Sequence, residues 1–142
     1  MSPVFDTDTE STVDPFGLLP DADYLVTVED ITFAQTRGGR DMVTVNFVID
    51  GGDYQGRQLP YFLFVDDQPN AKVSYKVFWK RFKEALELPV SGSFDSDEKT
   101  IGGERVIGRS CFARTKWDSD NERPRITRLI PESKVGDESH NF

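Results

Sequence analysis

Two stretches in the first third of the chain alternate between apolar and polar positions with the period of two that is typical of β-strands. In residues 24–34 the alternation slips at Glu29 and Asp30, which predicts a β-bulge that bends a long first strand. In residues 42–50 the alternation is unbroken and gives one apolar face, made of Val43, Val45, Phe47 and Ile49. The glycine-containing segment 36–40 between the two stretches predicts a hairpin, because glycine accepts positive φ.

A third strand and one helix follow along the chain. Residues 57–65 predict a strand, and Pro60, which has no N–H to donate, places that strand at a sheet edge or at a bulge. Residues 70–88 have a helical period, with Asn70 as the N-cap and Pro89 as the stop. The apolar face of this helix is made of Ala71, Tyr75, Phe78, Phe82, Ala85 and Leu86, with Trp79 near its boundary.

The last part of the chain predicts a loop and two more strands. Residues 90–104 contain Ser, Gly and Asp and predict the loop; residues 105–117 predict a fourth strand with interleaved basic side chains, and residues 125–130 predict a fifth. Three strands, a helix and two strands is the order of the OB fold. We therefore predict a mostly β fold, a five-stranded Greek-key OB-fold barrel with one helix between strands 3 and 4.

Charge and composition divide the chain of 142 residues into three parts. Residues 1–20 predict an acidic flexible N-terminal segment, residues 21–131 the OB-fold domain, and residues 132–142 an acidic flexible tail. The net charge of −8 is unevenly distributed, with −8 over residues 1–36, +2 over residues 37–131 and −2 over the tail. Because charges act over about 8–10 Å in physiological salt, the slightly basic folded part permits a polyanionic partner.

The sequence lacks the residues that several classes of function require. The single cysteine, Cys111, permits no internal disulfide and is interpreted as a small buried side chain. The single histidine, His140, leaves no Cys/His metal cluster. No catalytic motif is present, so we predict no enzyme, no metal and no cofactor. No signal peptide and no apolar run of about 20 residues is present, so we expect a cytoplasmic protein without a membrane partner.

Four parts of the chain resemble a known family. Residues 17–24 (GLLPDADY) lead into the first strand, and residues 51–57 (GGDYQGR) resemble a G-x-Y-x-G-R/K turn. Residues 78–88 resemble an F-x-x-x-L-x-x-L-G-L-P helix end, while IGR at 107–109 and RLIP at 128–131 bracket the last two strands. The pattern is similar to that of a bacteriophage family, described as a domain of unknown function, that includes single-stranded DNA-binding proteins with an OB fold. The resemblance implies a role in phage DNA replication or recombination in the host cytoplasm.

The first candidate binding residues lie in the last two strands and in the turn between them. Basic and aromatic side chains alternate there, and single-stranded nucleic acid requires cations for its phosphates and aromatic faces for its bases. The candidates are Arg109, Phe112, Arg114, Lys116, Trp117 and Arg123, with Arg125 beside them. By the period of two, Phe112, Arg114 and Lys116 share one face. The alternative is a solvated face with Phe112 in the core.

Strand 3, the first hairpin and the helix supply further candidates. Phe62 and Phe64 share one face of strand 3, and they either pack under the helix or form a stacking platform. Arg37 and Arg40 flank the hairpin glycines, where guanidinium groups suit phosphate contacts; an ordinary solvated hairpin is the alternative. The lysine stripe of the helix, which is interpreted as a solvated face, consists of Lys72, Lys76, Lys80 and Lys83.

The tail carries the last candidate residues. Asp137, Glu138 and Phe142 resemble the acidic, Phe-ending tails of bacterial and phage single-strand binders, which partner proteins recognise; the alternative is a plain disordered end. We therefore predict a sequence-tolerant single-stranded DNA-binding protein that docks replication or recombination proteins through its tail. Its oligomeric state is left open. The alternative function is an OB-like protein-interaction adaptor that binds no nucleic acid.

Overall fold

Nine elements of secondary structure lie within residues 18–133, the part of the chain that the computed structural model describes. The predicted flexible ends lie mostly outside these residues. The elements in chain order are β1 (Asp23–Gln35), β2 (Asp41–Ile49), β3 (Gln58–Phe64), α1 (Tyr75–Ala85), β4 (Phe94–Asp95), β5 (Thr100–Ile101), β6 (Glu104–Arg105), β7 (Ser110–Asp118) and β8 (Arg123–Ile130). The prediction of a mostly β fold with one helix after the third strand is confirmed.

The five long strands form one antiparallel sheet in the order β3-β2-β1-β7-β8, and the three two-residue strands form a second sheet in the order β4-β5-β6. In the large sheet, β1 is central and pairs with both β2 and β7. Strand β3 is an edge strand, as Pro60 predicts. At an edge, the missing N–H of Pro60 costs no hydrogen bond between strands. The other edge is β8.

The β-bulge predicted in the first strand is confirmed. The pairing of β1 with β2 shifts its register between Val28 and Asp30. The extra residue turns Val28 and Ile31, which are three positions apart, to the same buried face. The Asp30 carboxylate fixes the bulge, because it accepts hydrogen bonds from the Ile31 N–H at 2.8 Å and from Lys99 Nζ at 2.6 Å.

Helix α1 closes the core from one side of the sheet. Its fully buried Phe82 ring contacts Phe47, Tyr61 and Trp79, with centroid distances between 6.1 and 6.4 Å. The buried helix residues are Trp79, Phe82 and Ala85. The predicted apolar face is therefore wrong at Phe78, which is 40% exposed, because the larger Trp79 takes the neighbouring core position.

The predicted start of the helix is also wrong. Ser74, not Asn70, is the N-cap, and its Oγ accepts a hydrogen bond from the Lys76 N–H at 3.3 Å. Asp67 also caps this end of the helix, because its carboxylate accepts hydrogen bonds from the Tyr75 N–H at 2.6 Å and from Ser74 Oγ at 3.3 Å. These bonds satisfy first-turn donors and set the N-cap, and with it the beginning of the helix, four residues later than predicted.

Two further boundaries differ from the predicted ones. The fourth long strand, β7, begins at Ser110 rather than at residue 105, because the chain turns at Gly108, whose φ is +93°. Glu104 and Arg105 instead pair with β5, so the predicted loop 90–104 contains a small sheet. Strands of two residues show no period, and the sequence pattern therefore could not reveal them.

Candidate nucleic-acid interface

Three phenylalanine side chains surround one open trough beside the outer edge of the large sheet. Phe62 and Phe64 lie on β3 and point away from the core, opposite to the buried Leu59 and Leu63. Phe78 reaches the same trough from α1. We name Phe62, Phe64 and Phe78 the aromatic trough. The alternative in which Phe62 and Phe64 pack under the helix is wrong, since the helix packs on the inner face through Phe82 against Tyr61.

Arg40 lies at one end of the aromatic trough, where the hairpin between β1 and β2 meets β3. Its guanidinium carbon is 3.7 Å from the centroid of the Phe64 ring, a cation–π contact. Asp66 fixes this position by accepting from Arg40 Nε at 2.8 Å with its carboxylate and from a terminal nitrogen at 2.9 Å with its carbonyl. Arg37, the other predicted arginine of this hairpin, is exposed to solvent.

The opposite end of the trough opens into a cavity of about 770 Å³ between β3, α1 and β8. Phe62 and Phe78 line it together with Arg81 and Arg128. The Arg81 guanidinium is 5.7 Å from the Phe78 ring centroid, so this end also combines an aromatic face with a planar cation. The lining includes two acids as well, Glu84 and Glu87.

A row of cations covers the outward face of β7 and β8. Arg114 pairs across the ladder with Arg128, and Lys116 pairs with Arg125. We name these four residues the basic strip. Directly opposite like charges destabilise a sheet by a few tenths of a kcal/mol or more, and at Arg114 the Asp23 carboxylate offsets part of this repulsion. Arg128 belongs to the strip and to the cavity lining, which makes the two surfaces continuous.

The predicted shared face of the fourth strand agrees with the burial pattern. Arg114 and Lys116 are exposed and Phe112 is half-buried, while Cys111, Ala113 and Thr115 between them are buried. The alternative with Phe112 inside the core is therefore wrong. Burial raises the pKa of the Cys111 thiol to about 12, in keeping with its interpretation as a small core side chain.

A family model described as a protein of unknown function (DUF669) matches residues 5–125. The chain belongs to this family. No match is found among curated proteins. The aromatic trough lies within the residues that the DUF669 model matches, as do all residues of the basic strip except Arg128. The family description names no activity, so the resemblance to phage single-strand binders stays a prediction.

Other predicted site residues are committed to contacts within the fold of this DUF669 chain. The Arg109 guanidinium donates to the carbonyls of Arg105, Leu86 and Glu87 and pairs with Glu104. This set of contacts joins the end of the helix to β7, and we leave Arg109 out of the interface. Arg114 donates to both carboxylate oxygens of Asp23, at 2.9 and 3.2 Å.

The remaining predicted residues lie at the turn between β7 and β8. Trp117 is half-buried, and its backbone N–H donates to the Asp21 carboxylate at 2.8 Å. Arg123 is exposed and pairs in register with Asp118. The tail residues Asp137, Glu138 and Phe142 lie outside the described residues.

Sequence reasoning did not single out Phe78, Arg81 and Arg128, which together line the cavity of the candidate interface. The helical wheel put Phe78 in the core, and nothing in the pattern separates an Arg81 that stacks on a ring from one that is merely solvated. Arg128 faces Arg114 only because the β7–β8 ladder shifts its register between Arg114 and Thr115. Within residues 18–133 no group of acidic, His or Cys side chains is arranged to hold a metal ion, and no helix has the length and apolarity to cross a membrane.

Proposed function

We propose that this chain is a sequence-tolerant single-stranded DNA-binding protein that acts in phage DNA replication or recombination. The observation that carries the proposal is the aromatic trough, with arginines beside Phe64 at one end and beside Phe78 at the other. Proteins that bind single strands stack bases on aromatic rings and follow the backbone with cations. Stacking requires only the face of a base, which every base offers, so such a site tolerates any sequence.

We further propose that the large sheet is an OB-fold barrel that is open between its edges. Its strand order supports the proposal, because the first strand pairs with both the second and the fourth long strands and leaves β3 and β8 as the two edges of a five-stranded sheet. The two edges, β3 and β8, approach to Cα distances of 8 Å or less, and α1 contacts both of them. Bases would enter at this seam, where Phe62 and Arg128 line the same cavity.

The basic strip would bind the phosphates of a strand whose bases enter the trough. Arg114 already binds Asp23, so Lys116, Arg125 and Arg128 carry most of the electrostatic attraction. An anion between two opposing cations relieves their repulsion, which adds to the free energy of binding. Three phosphate contacts on a single strand correspond to a slope of about −2 in log K against log salt, at about −0.7 per contact.

The test is a titration of fluorescent oligo(dT) of about 30–40 nucleotides at two salt concentrations, followed by anisotropy. We expect binding that weakens with salt at the slope given above. The double variant Phe62→Ala/Phe78→Ala removes two stacking faces at about 1–3 kcal/mol each, so its affinity should fall at least about 30-fold.

The matched control for this titration is Phe33→Ala, which removes a phenylalanine that is 50% exposed, compared with 40% for Phe62 and Phe78, and that lies outside the trough. This variant should bind oligo(dT) like the wild type, and both variants should be checked for an unchanged melting temperature. If the wild type fails to bind oligo(dT) at low salt, the proposal is wrong and the protein-interaction adaptor becomes the better explanation of the exposed rings. Equal losses in both variants would remove the trough from the interface.

A further inference from the structure

A second groove lies on the other flank of α1 and has no part in the proposed DNA interface. Its volume is about 870 Å³. Phe33, which is 50% exposed, and Val90, which is 47% exposed, form its apolar walls, and Trp79 and Phe94 form its floor. Three lysines of α1 border it: Lys76, Lys80 and Lys83. We name this surface the lysine groove.

The floor of the lysine groove is rigid. Trp79 Nε1 donates to the Phe64 carbonyl at 2.8 Å, which fixes the indole, and the Phe94 ring lies 5.8 Å from it. Lys83 Nζ donates to the carbonyls of Val90 at 3.1 Å and Gly92 at 2.6 Å, so the loop that forms one wall is held to the helix. The apolar surface is therefore preorganised to receive a side chain.

Charge separates this groove from the aromatic trough. Among the described residues that line the lysine groove there are three lysines and no acid. The two cavities at the aromatic trough are also lined by acids, namely Asp66, Asp67, Glu84 and Glu87. An acidic peptide with apolar side chains therefore meets only cations among the charged residues that line the lysine groove, whereas the trough presents charges of both signs.

We propose that the acidic N-terminal segment, residues 1–17, docks in the lysine groove. The segment contains Asp6, Asp8, Glu10 and Asp14 and no basic residue. It also contains Phe5 and Phe16, whose rings suit the apolar walls. Residues 134–142 have two acids and one lysine and are the weaker electrostatic match. The family model begins at residue 5, so most of this segment lies within the range that the model matches, although it precedes the described residues.

The length of the segment permits this docking. The Tyr24 hydroxyl donates to the Pro20 carbonyl at 2.6 Å, so the described chain begins beside the start of β1. From Tyr24 to Phe33 the strand spans roughly 30 Å at about 3.3 Å per residue. The chain between Phe5 and Leu18 reaches up to about 43 Å when extended. Tethering also gives the segment a millimolar effective concentration, which a free peptide lacks.

The test is photo-cross-linking in the full chain, with p-benzoylphenylalanine in place of Phe5 and the products mapped by mass spectrometry. We expect intramolecular cross-links to the peptides that contain Phe33, Val90 or Phe94, at a yield independent of protein concentration. Lys76→Glu/Lys80→Glu should reduce this yield at least about tenfold. The matched control Lys72→Glu, a lysine that does not line the groove, should leave the yield unchanged.

Four other outcomes would overturn the docking proposal. Cross-links at Phe62 or Phe78 would place the segment on the aromatic trough. A yield that rises with protein concentration would indicate a second copy as the occupant. The same photo-cross-linker can be placed at Phe142. If the probe at position 142 cross-linked to the groove and the probe at position 5 did not, the tail would be the occupant. Suppression of the cross-links by oligo(dT) in the Phe62→Ala/Phe78→Ala variant would show that nucleic acid occupies the groove. None of these results depends on whether the aromatic trough binds DNA.

Discussion

The two flanks of α1 carry grooves of similar size and contrasting chemistry. On one flank, Phe78 and Arg81 face the seam between β3 and β8, and the Arg81 guanidinium lies 5.7 Å from the centroid of the Phe78 ring. On the other flank, Lys76 and Lys80 border apolar walls without any acid among the described lining residues. Both grooves share the Phe82 core beneath them.

The contrast indicates that arginine and lysine side chains suit different classes of partner. An arginine stacks on an aromatic ring and binds phosphate through a planar fork, which suits a strand of stacked bases and phosphates. A lysine is a compact point charge that can donate to a carboxylate from many directions, which suits an acidic peptide. The net charge of the lining residues would rank the lysine groove first for DNA, whereas the pairing of rings and guanidinium groups favours the aromatic trough.

The largest effect on stability is expected for a substitution at Phe82, the residue that supports both grooves. Phe82→Ala removes a fully buried ring beneath α1 and should lower the free energy of unfolding by about 3–5 kcal/mol. Urea unfolding followed by circular dichroism measures this loss. Oligo(dT) binding and groove cross-linking should then weaken together. A variant that kept one function and lost the other would show that the two grooves do not share this support.

The core and the large sheet were predictable from the sequence because their signals are local. Unbroken alternation in residues 42–50 gave the buried face of β2, and the phase slip at Glu29 and Asp30 gave the bulge. Both patterns depend only on the order of apolar and polar residues along one strand.

The candidate site was predictable only in part, because its geometry depends on contacts between distant elements. Phe62 and Phe64 were identified as a pair, but their exposure depends on which face of the sheet α1 covers. The role of Arg109 depends on carbonyls at the end of the helix, 22 and 23 residues away, which no strand pattern reveals.

A second prediction concerns a substitution that should distort the lysine groove and leave the aromatic trough unchanged. A Cβ atom at Gly92 would lie 2.6 Å from the backbone of Gly102, so Gly92→Ala must displace the small sheet from the loop that walls the groove. Such overpacking costs about 1–3 kcal/mol, measurable by urea unfolding. Groove cross-linking should fall while oligo(dT) affinity stays unchanged.

Gly38→Ala is the matched control for that substitution. The nearest atom to its Cβ is Thr36 Oγ1 at 3.9 Å, an ordinary contact, so stability should change little. A loss of oligo(dT) affinity in Gly92→Ala as large as the loss of cross-linking would mean that the two grooves are one functional surface.

A third prediction tests the basic strip against the lysines of the groove. Lys116→Gln/Arg125→Gln removes one cross-strand pair of like charges and should flatten the salt dependence of oligo(dT) binding by about 0.7 per lost contact. Its stability should stay level or rise by about 0.2–1 kcal/mol, because the repulsion is relieved. Lys76→Gln/Lys80→Gln, with the same change in charge, should leave the slope unaltered. Identical slopes in the two variants would contradict the assignment of phosphates to β7 and β8.

The smallest effect concerns the ion pair that ties the small sheet to the bulge of β1. The hydrogen bond from Lys99 Nζ, followed by that from the Ile31 N–H, lowers the pKa of Asp30 from its ordinary value. Because the folded state favours the ionised carboxylate, this stabilisation is fully present above the ordinary pKa of 3.8 and is lost as the pH falls through the lowered value. Both side chains are about one-third exposed, so the pair contributes at most about 1 kcal/mol.

Asp30→Asn should therefore lower the urea midpoint at about pH 7, and the difference from the wild type should vanish at about pH 2. The small sheet carries Phe94 of the lysine groove, so groove cross-linking should weaken slightly at neutral pH while oligo(dT) affinity stays constant. Glu29→Gln is the matched control, since Glu29 is the exposed neighbour whose carboxylate accepts from the Gln58 amide at 3.2 Å. A pH-independent difference between Asp30→Asn and the wild type would mean that the substitution acts through the Ile31 N–H rather than through the charge of the carboxylate.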